Sequence, residues 1–265
     1  MSWYPAGQRV LVTGASSGIG AALAVELGRC GAFVGLAARR GDRLEQVLGQ
    51  VRDAGGDGCW WMLDLADLES VAPFAERAWA EMGPIDVLVN NAGAPRRRSM
   101  KRLTPEELDE TMAVNFTGSA RLSLALLPYM LKRDSGAIVN VSSMGTQSMA
   151  FRTGAYGAAK AALNLFTEGL YFDLVGTGVR AHLFTPGSTA TEFSTSKPGN
   201  DDPFPQPPDA FMDPVDVAKA LIAKLGNDDF EGFAAPALKE TAQAKRADPN
   251  GYLVEAIKMM GLRQR

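Results

Sequence analysis

A short run near the start of the chain limits the fold more than any other. Arg9 to Thr13 is a five-residue strand pattern that enters Thr13-Gly14-Ala15-Ser16-Ser17-Gly18-Ile19-Gly20, and a helical period follows through Leu27. A strand that turns into a helix through glycines exposes backbone N–H groups at the positive end of the helix dipole. Such a turn suits a pyrophosphate, because glycine permits both the tight bend and the close approach of a ligand. The strand-then-helix pattern recurs. Further strands are expected at Phe33–Ala37, Gly58–Leu63, Ile85–Val89, Ala137–Val141 and Val179–Phe184, with a short seventh between Phe230 and Ala235. Helices are expected from Gly41 to about Asp53, from Leu68 to Met82, and from Asp213 to about Leu225. Such alternation reads as a parallel sheet with helices on both faces, an α/β architecture. Ligands of such sheets bind beyond the carboxyl ends of the strands, where the glycine turn lies.

Composition narrows the function classes. The 265 residues fit one large α/β domain, and 46% apolar content supports a sizeable core. A net charge of −3 gives no general drive toward nucleic acid or an anionic membrane. Cys30 and Cys59 make neither a disulfide framework nor a metal site, which favours a reducing, cytoplasmic setting. His182, the only histidine, leaves multi-histidine zinc sites and Ser-His-Asp catalysis poorly served; in its apolar run it reads as a core or strand-edge residue. The start lacks the basic and apolar regions of a signal peptide. The apolar stretch Leu122–Leu131 is too short to span a bilayer. A soluble protein without membrane insertion, nucleic acid or metal is expected.

The remaining segments read as follows. Thr104, Pro105 and Glu107 form a capping-box start for a helix running to about Leu131, with Asn115 in its middle. From Glu192 to Met212 the chain shows no helix or strand period, and a loop of that length is expected to act as a substrate lid. Met144, Met149 and Phe151, with Phe193, Phe204, Phe211 and Met212, would line an apolar substrate pocket if the loops bring them together. Arg96-Arg97-Arg98 with Lys101 and Arg102 reads as a solvated charged face, with an anionic substrate handle as the alternative. The tail, about 239–265, reads as helical and suggests no role.

Tyr156 and Lys160 are four residues apart, which stacks them on one face of a helix. An ammonium near a phenol favours the phenolate and lowers its pKa, so the pair could exchange a proton with a carbonyl or hydroxyl oxygen. These motifs together resemble the short-chain dehydrogenase/reductase family over about Gln8 to Leu225. Thr13–Gly20 matches its TGxxxGIG turn, Asn90–Gly93 its NNAG, Tyr156–Lys160 its YxxxK, and Pro186-Gly187 with Thr191 its PGxxxT. Ser143, thirteen positions before Tyr156, matches the catalytic serine, and Asn115 the helix asparagine of the catalytic tetrad.

The resemblance implies a Rossmann-type doubly wound sheet in a single domain. It also implies hydride transfer between the nicotinamide and a carbonyl carbon. Tyr156 would be the acid/base, and Lys160 would lower its pKa and hold the nicotinamide ribose. Ser143 would bond the reacting oxygen, and Asn115 would bend its helix and hold a relay water. Cofactor contacts are implied for Gly14, Ser16, Ser17, Gly18, Ile19, Gly20, Asp64, Leu65, Asn91, Ala92, Gly93, Pro186, Gly187, Thr189 and Thr191, besides Tyr156 and Lys160. A homodimer or homotetramer is implied as well. At the end of the second strand Ala38 replaces the acid that NAD-binding chains often carry, and Arg39 and Arg40 follow, which points to NADP(H). The alternative is a regulator that senses NADP(H) without turnover, although such proteins tend to lose the tyrosine or lysine that this chain keeps.

Overall fold

Parallel strands buried on both faces need apolar residues at successive positions, and the strands here supply them. In this computed structural model, which describes residues 4–147, 152–196, 199–202, 210–227 and 229–259, seven parallel strands form one sheet. They are β1 (Arg9–Thr13), β2 (Phe33–Ala38), β3 (Asp57–Met62), β4 (Val87–Asn90), β5 (Gly136–Val141), β6 (Val179–Thr185) and β7 (Glu231–Phe233), in the order β3-β2-β1-β4-β5-β6-β7. Alternate side chains supply the two cores. Val10, Val12, Val34 and Leu36 pack with α1 (Gly18–Arg29), α2 (Gly41–Asp53) and α7 (Pro214–Leu225). Leu11, Ala37, Leu88 and Ile138 pack with α3 (Val71–Met82), α5 (Gly118–Arg133) and α6 (Gly154–Asp173).

The strand order reverses between β1 and β4, and hydrogen bonds stitch the two strand ends together. The Thr13 hydroxyl accepts from the backbone N–H groups of Asn91 and Ala92, each at 3.1 Å, and the Asn91 amide donates to the Thr13 carbonyl at 2.9 Å. The glycine turn is locked against the same loop. A Cβ on Gly20 would lie 2.4 Å from the Gly14 carbonyl oxygen, so only glycine lets α1 start so close to the sheet. Below the switch point, Asn90 donates to Asn140 and to Ser123, each at 2.8 Å, and Asn140 donates to Thr167 at 2.9 Å. This buried network ties β4 and β5 to α5 and α6.

Several expected boundaries move. The capping box forms as expected: Thr104 accepts from the Glu107 N–H, and Glu107 accepts from the Thr104 N–H. The helix that follows is not continuous to Leu131. α4 (Pro105–Met112) gives way to a π turn at Ala113–Thr117 before α5 begins. The helix expected from Leu68 starts at Val71. The stretch expected to be irregular from Glu192 contains a short 3-10 turn, Glu192–Ser194, and Thr189 bridges to Met212. The tail forms α8 (Pro236–Ala247) and α9 (Pro249–Met259). Among the described residues no helix is long and apolar enough to cross a membrane, and no metal-binding cluster is present. His182 is buried, and its Nδ1 lies 3.1 Å from the Asp229 carbonyl.

The asparagine network yields a stability prediction. Asn140→Ala removes two buried side-chain hydrogen bonds, from Asn90 and to Thr167, and should cost ~1–3 kcal/mol at about 0.5–1.5 kcal/mol each. Denaturant unfolding should show this as a lower midpoint at unchanged slope; an unaltered midpoint would mean that the network contributes no net stability.

Candidate active site

The site is assembled from strand ends. A cleft of about 660 Å³ runs from Gly14, Ser16, Ser17, Gly18 and Ile19, past Asp64, Leu65 and Asn91–Gly93, to Ser143, Tyr156 and Lys160. Pro186, Gly187, Thr189 and Thr191 close its far side. Gly20 lies behind the cleft, buried in the packing of the turn. Every other residue implied as catalytic or cofactor-binding, apart from Asn115, lines this one space.

The cofactor end has the donor set a dinucleotide requires. Ser17 caps α1 without a side-chain hydrogen bond, and no acid occupies the first turn. The N-terminal N–H groups of α1 therefore have no side-chain acceptor, and the helix dipole makes this end attractive to an anion. Gly18, at φ +57°, has room only for hydrogen, because a Cβ there would lie 2.9 Å from the Thr191 methyl. Arg39 is exposed at the mouth. Arg40 lies across the turn and donates to Ser17 at 2.8 Å and to Ser16 at 3.2 Å. It also pairs with Glu192 at 2.9 Å. These residues fit a nicotinamide dinucleotide.

At the reacting end, Ser142 and Ser143 diverge as an extended backbone requires. Ser142 is buried and donates to Asn164 at 2.6 Å. Ser143 opens on the cleft, where its oxygen accepts from the Gly145 N–H at 3.0 Å and its side chain hydrogen-bonds Tyr156. Burial pushes the Tyr156 phenol up to about 12, against the lowering effect of the Ser143 bond. The expected lowering by Lys160 does not appear. The Lys160 ammonium donates instead to the Val141 carbonyl at 2.9 Å, and burial pulls its own pKa down to about 8.

Asn115 sits in the π turn. Its side-chain oxygen accepts from the Ala94 N–H at 3.0 Å, and its amide donates to the Ala94 and Thr111 carbonyls at 3.1 and 3.0 Å. An asparagine that bonds the neighbouring loop and its own helix accounts for the break in the i→i−4 ladder. It pins the Asn91–Ala94 loop to the floor of the site.

Three features were not anticipated. The arginine run is not a solvated face. Arg97 is only 6% exposed, and its guanidinium donates to the carbonyls of Phe193, Thr195 and Asp201. Arg96 pairs with Glu107 and Glu110, Arg98 with Glu107, and Arg102 with Asp201. Second, the Phe193 ring packs on Tyr156 with centroids 5.3 Å apart. Third, the tail lines the site. Tyr252, Ala256 and Met259 of α9 join Met144, Phe193 and Phe211 around the cleft. The spacing of four and three residues along α9 was the available signal, since it puts those side chains on one helical face. Met212 packs at the edge of a core cluster. Met149, Phe151 and Phe204 lie outside the described residues.

Comparison with known proteins agrees with the geometry. The model of the short chain dehydrogenase family matches residues 8–202. A fatty acyl-CoA reductase of Acinetobacter baylyi is 39% identical over 168 residues, covering 61% of this chain and 56% of its own length. The chain spans about half the length of the curated relatives it matches. A short-chain dehydrogenase from Sphingobium yanoikuyae in complex with NADPH superposes with a TM-score of 0.78 at 28% identity, covering 97% of each chain. A short-chain dehydrogenase/reductase from Burkholderia phymatum in complex with NAD shares the fold with a TM-score of 0.83 at 24% identity, covering 93% of this chain and 95% of that one. With the family model spanning most of the chain, and with the sheet order, glycine turn and Ser143-Tyr156-Lys160 cleft in agreement, the chain belongs to the short-chain dehydrogenase/reductase family.

Proposed function

We propose that the protein is an NADP(H)-dependent oxidoreductase that interconverts a hydrophobic ketone or aldehyde and the corresponding alcohol. The observation that carries this reading is that Ser143, Tyr156 and Lys160 open on the same cleft as the uncapped N-terminus of α1. The bound cofactor would supply or accept the hydride at the carbonyl carbon. Tyr156 donates its phenolic proton to the developing alkoxide, and Ser143 holds the reacting oxygen by a hydrogen bond. A phenol pushed up to about 12 stays protonated at neutral pH, which suits proton donation and hence reduction. Lys160, held by the Val141 carbonyl, faces the same space and would bind the nicotinamide ribose. Phe193, Phe211, Tyr252, Ala256 and Met259 exclude water and favour an apolar substrate. The name of the Acinetobacter baylyi relative, a fatty acyl-CoA reductase, supports an apolar chain on the carbonyl substrate and keeps an acyl-type carbonyl within the proposal. Exposed Leu124 on α5 and Leu165 and Phe172 on α6 support a helix-paired dimer or tetramer.

The cofactor preference rests on Ala38, Arg39 and Arg40. Ala38 leaves no carboxylate to bond a ribose 2′-hydroxyl or repel a 2′-phosphate, and a guanidinium meets a phosphate with two parallel hydrogen bonds. Such a contact is worth ~1.5–3 kcal/mol, about ten- to a hundred-fold in affinity. Measured kcat/KM should favour NADPH over NADH by that margin, and Ala38→Asp with Arg39→Ala should abolish or reverse the preference. A native preference for NADH would overturn the assignment.

Enzyme and sensor separate on turnover. NADPH consumption should appear in a screen of aldehydes and ketones of increasing apolar size, whereas a cofactor-sensing regulator would bind NADPH and reduce none of them. Tyr156→Phe should lower the rate by ~10² or more while NADPH still binds, because only the phenol oxygen is lost. Near-normal turnover in that variant would remove Tyr156 from the mechanism.

The acid/base role also has a pH signature. Carbonyl reduction needs the protonated phenol and should be nearly flat from about pH 6 to 8, while alcohol oxidation needs the phenolate and should rise from about pH 7 to 10. An oxidation rate that does not change across that range would count against Tyr156 as the titrating group.

A further inference from the structure

A buried guanidinium needs acceptors, and carboxylates are its usual ones. Those of Arg97 are backbone carbonyls. Nη1 donates to Phe193 at 3.0 Å, Nη2 to Thr195 at 2.5 Å and Nε to Asp201 at 3.3 Å. The backbone around Arg97 is tied to the same segment. Its N–H donates to the Asn200 side chain, and its carbonyl accepts from the Asp201 N–H, both at 2.6 Å. Asp201 also accepts from the Ser99 N–H and pairs with Arg102. The loop after β4 and the segment carrying Phe193 are therefore joined at Arg97, with Ser99 and Arg102 adding contacts to Asp201.

That junction has a consequence at the reacting end. Phe193 is held through its own carbonyl by Arg97, while its ring packs on Tyr156. The loop that bears Arg97 is anchored in turn by Asn115 through Ala94. We propose that Arg97 is a positioning residue: by gathering the carbonyls of residues 193, 195 and 201 it fixes Phe193 over Tyr156. It does not touch the reacting atoms. The proposal rests on Tyr156 being the acid/base, and it gives the arginine run a role other than a solvated face or a handle for an anionic substrate. Burial lowers the Arg97 pKa against the opposing charge of Asp202, which agrees with a guanidinium solvated by carbonyls.

The test uses the full-length protein and needs no substrate for its first arm. Arg97→Met should raise hydrogen exchange at the amides of residues 193–196 and 199–202 by about tenfold or more, the scale of lost charge-assisted hydrogen bonds, while α6 and NADPH affinity stay unchanged. Arg97→Lys, which keeps the charge but not the fork, should fall between the two. Unaltered exchange at those amides in Arg97→Met would overturn the proposal. The second arm measures kcat and KM with NADPH and decanal as the probe, or with the best carbonyl from the size series. Arg97→Met and Phe193→Ala should each lower kcat/KM by ~10-fold or more, and the double variant should be no worse than either, because one acts through the other. Additive losses would overturn it, as would a loss confined to carbonyls that carry a carboxylate, which would make Arg97 an anion-binding residue. If Arg97→Met does not fold, Asn200→Ala loosens the same clamp from the lid side and should raise the same exchange; no rise would overturn the proposal. Failure of the parent mechanism is separable, because it would appear as an active Tyr156→Phe enzyme whatever the exchange result.

Discussion

The Thr13 hydroxyl holds the molecule's two halves in register. It accepts two backbone N–H groups from the loop after β4, and the Asn91 amide returns a bond to the Thr13 carbonyl. Parallel strands whose connections leave in opposite directions open a crevice at their carboxyl ends. The Thr13 bonds extend the β1–β4 pairing past the strand ends, where one cleft joins the N-terminus of α1 to Ser143, Tyr156 and Lys160. The lower network of Asn90, Asn140, Ser123 and Thr167 ties the strands to α5 and to α6, the helix that holds Tyr156 and Lys160.

Electrostatics at the reacting end depend on who is bound to whom. An ammonium one helical turn from a phenol suggests mutual stabilisation, yet Lys160 points its charge at the end of β5 and Tyr156 is governed by burial. The two groups shift in opposite senses for one reason. Removal from water disfavours the charged form of each, raising an acid and lowering a base. The phenol and the amine are therefore both drawn toward neutrality.

Much of the architecture was legible because it rests on local rules. The βα period, the glycine turn and the capping box at Thr104 each follow from a few adjacent residues. What was missed depends on partners distant in sequence. The resemblance implied a bend at Asn115, and the structure has one there, but its partner in the bend, Ala94, is 21 residues away in sequence. Arg97 is buried because residues 193–201 supply three carbonyls, which no reading of a charge run could reveal. Tyr252, Ala256 and Met259 show a helical spacing, but nothing in it says that their face meets a cleft built from other strands. Composition located the apolar residues; only the fold decides which of them share a wall.

That wall has a consequence for how the protein is made. The glycine turn, the switch-point stitch and the Ser143-Tyr156-Lys160 group all lie within the first 160 residues, whereas Tyr252, Ala256 and Met259 come about ninety positions later. During vectorial synthesis at about 5–20 residues per second, the earlier elements leave the ribosome several seconds ahead of α9. A nascent chain can therefore form its nucleotide-facing surface while its apolar cleft still stands open on one side. In that interval the cleft is an exposed hydrophobic surface, of the kind that chaperones recognise. A bound dinucleotide would shield part of it before the last helix arrives.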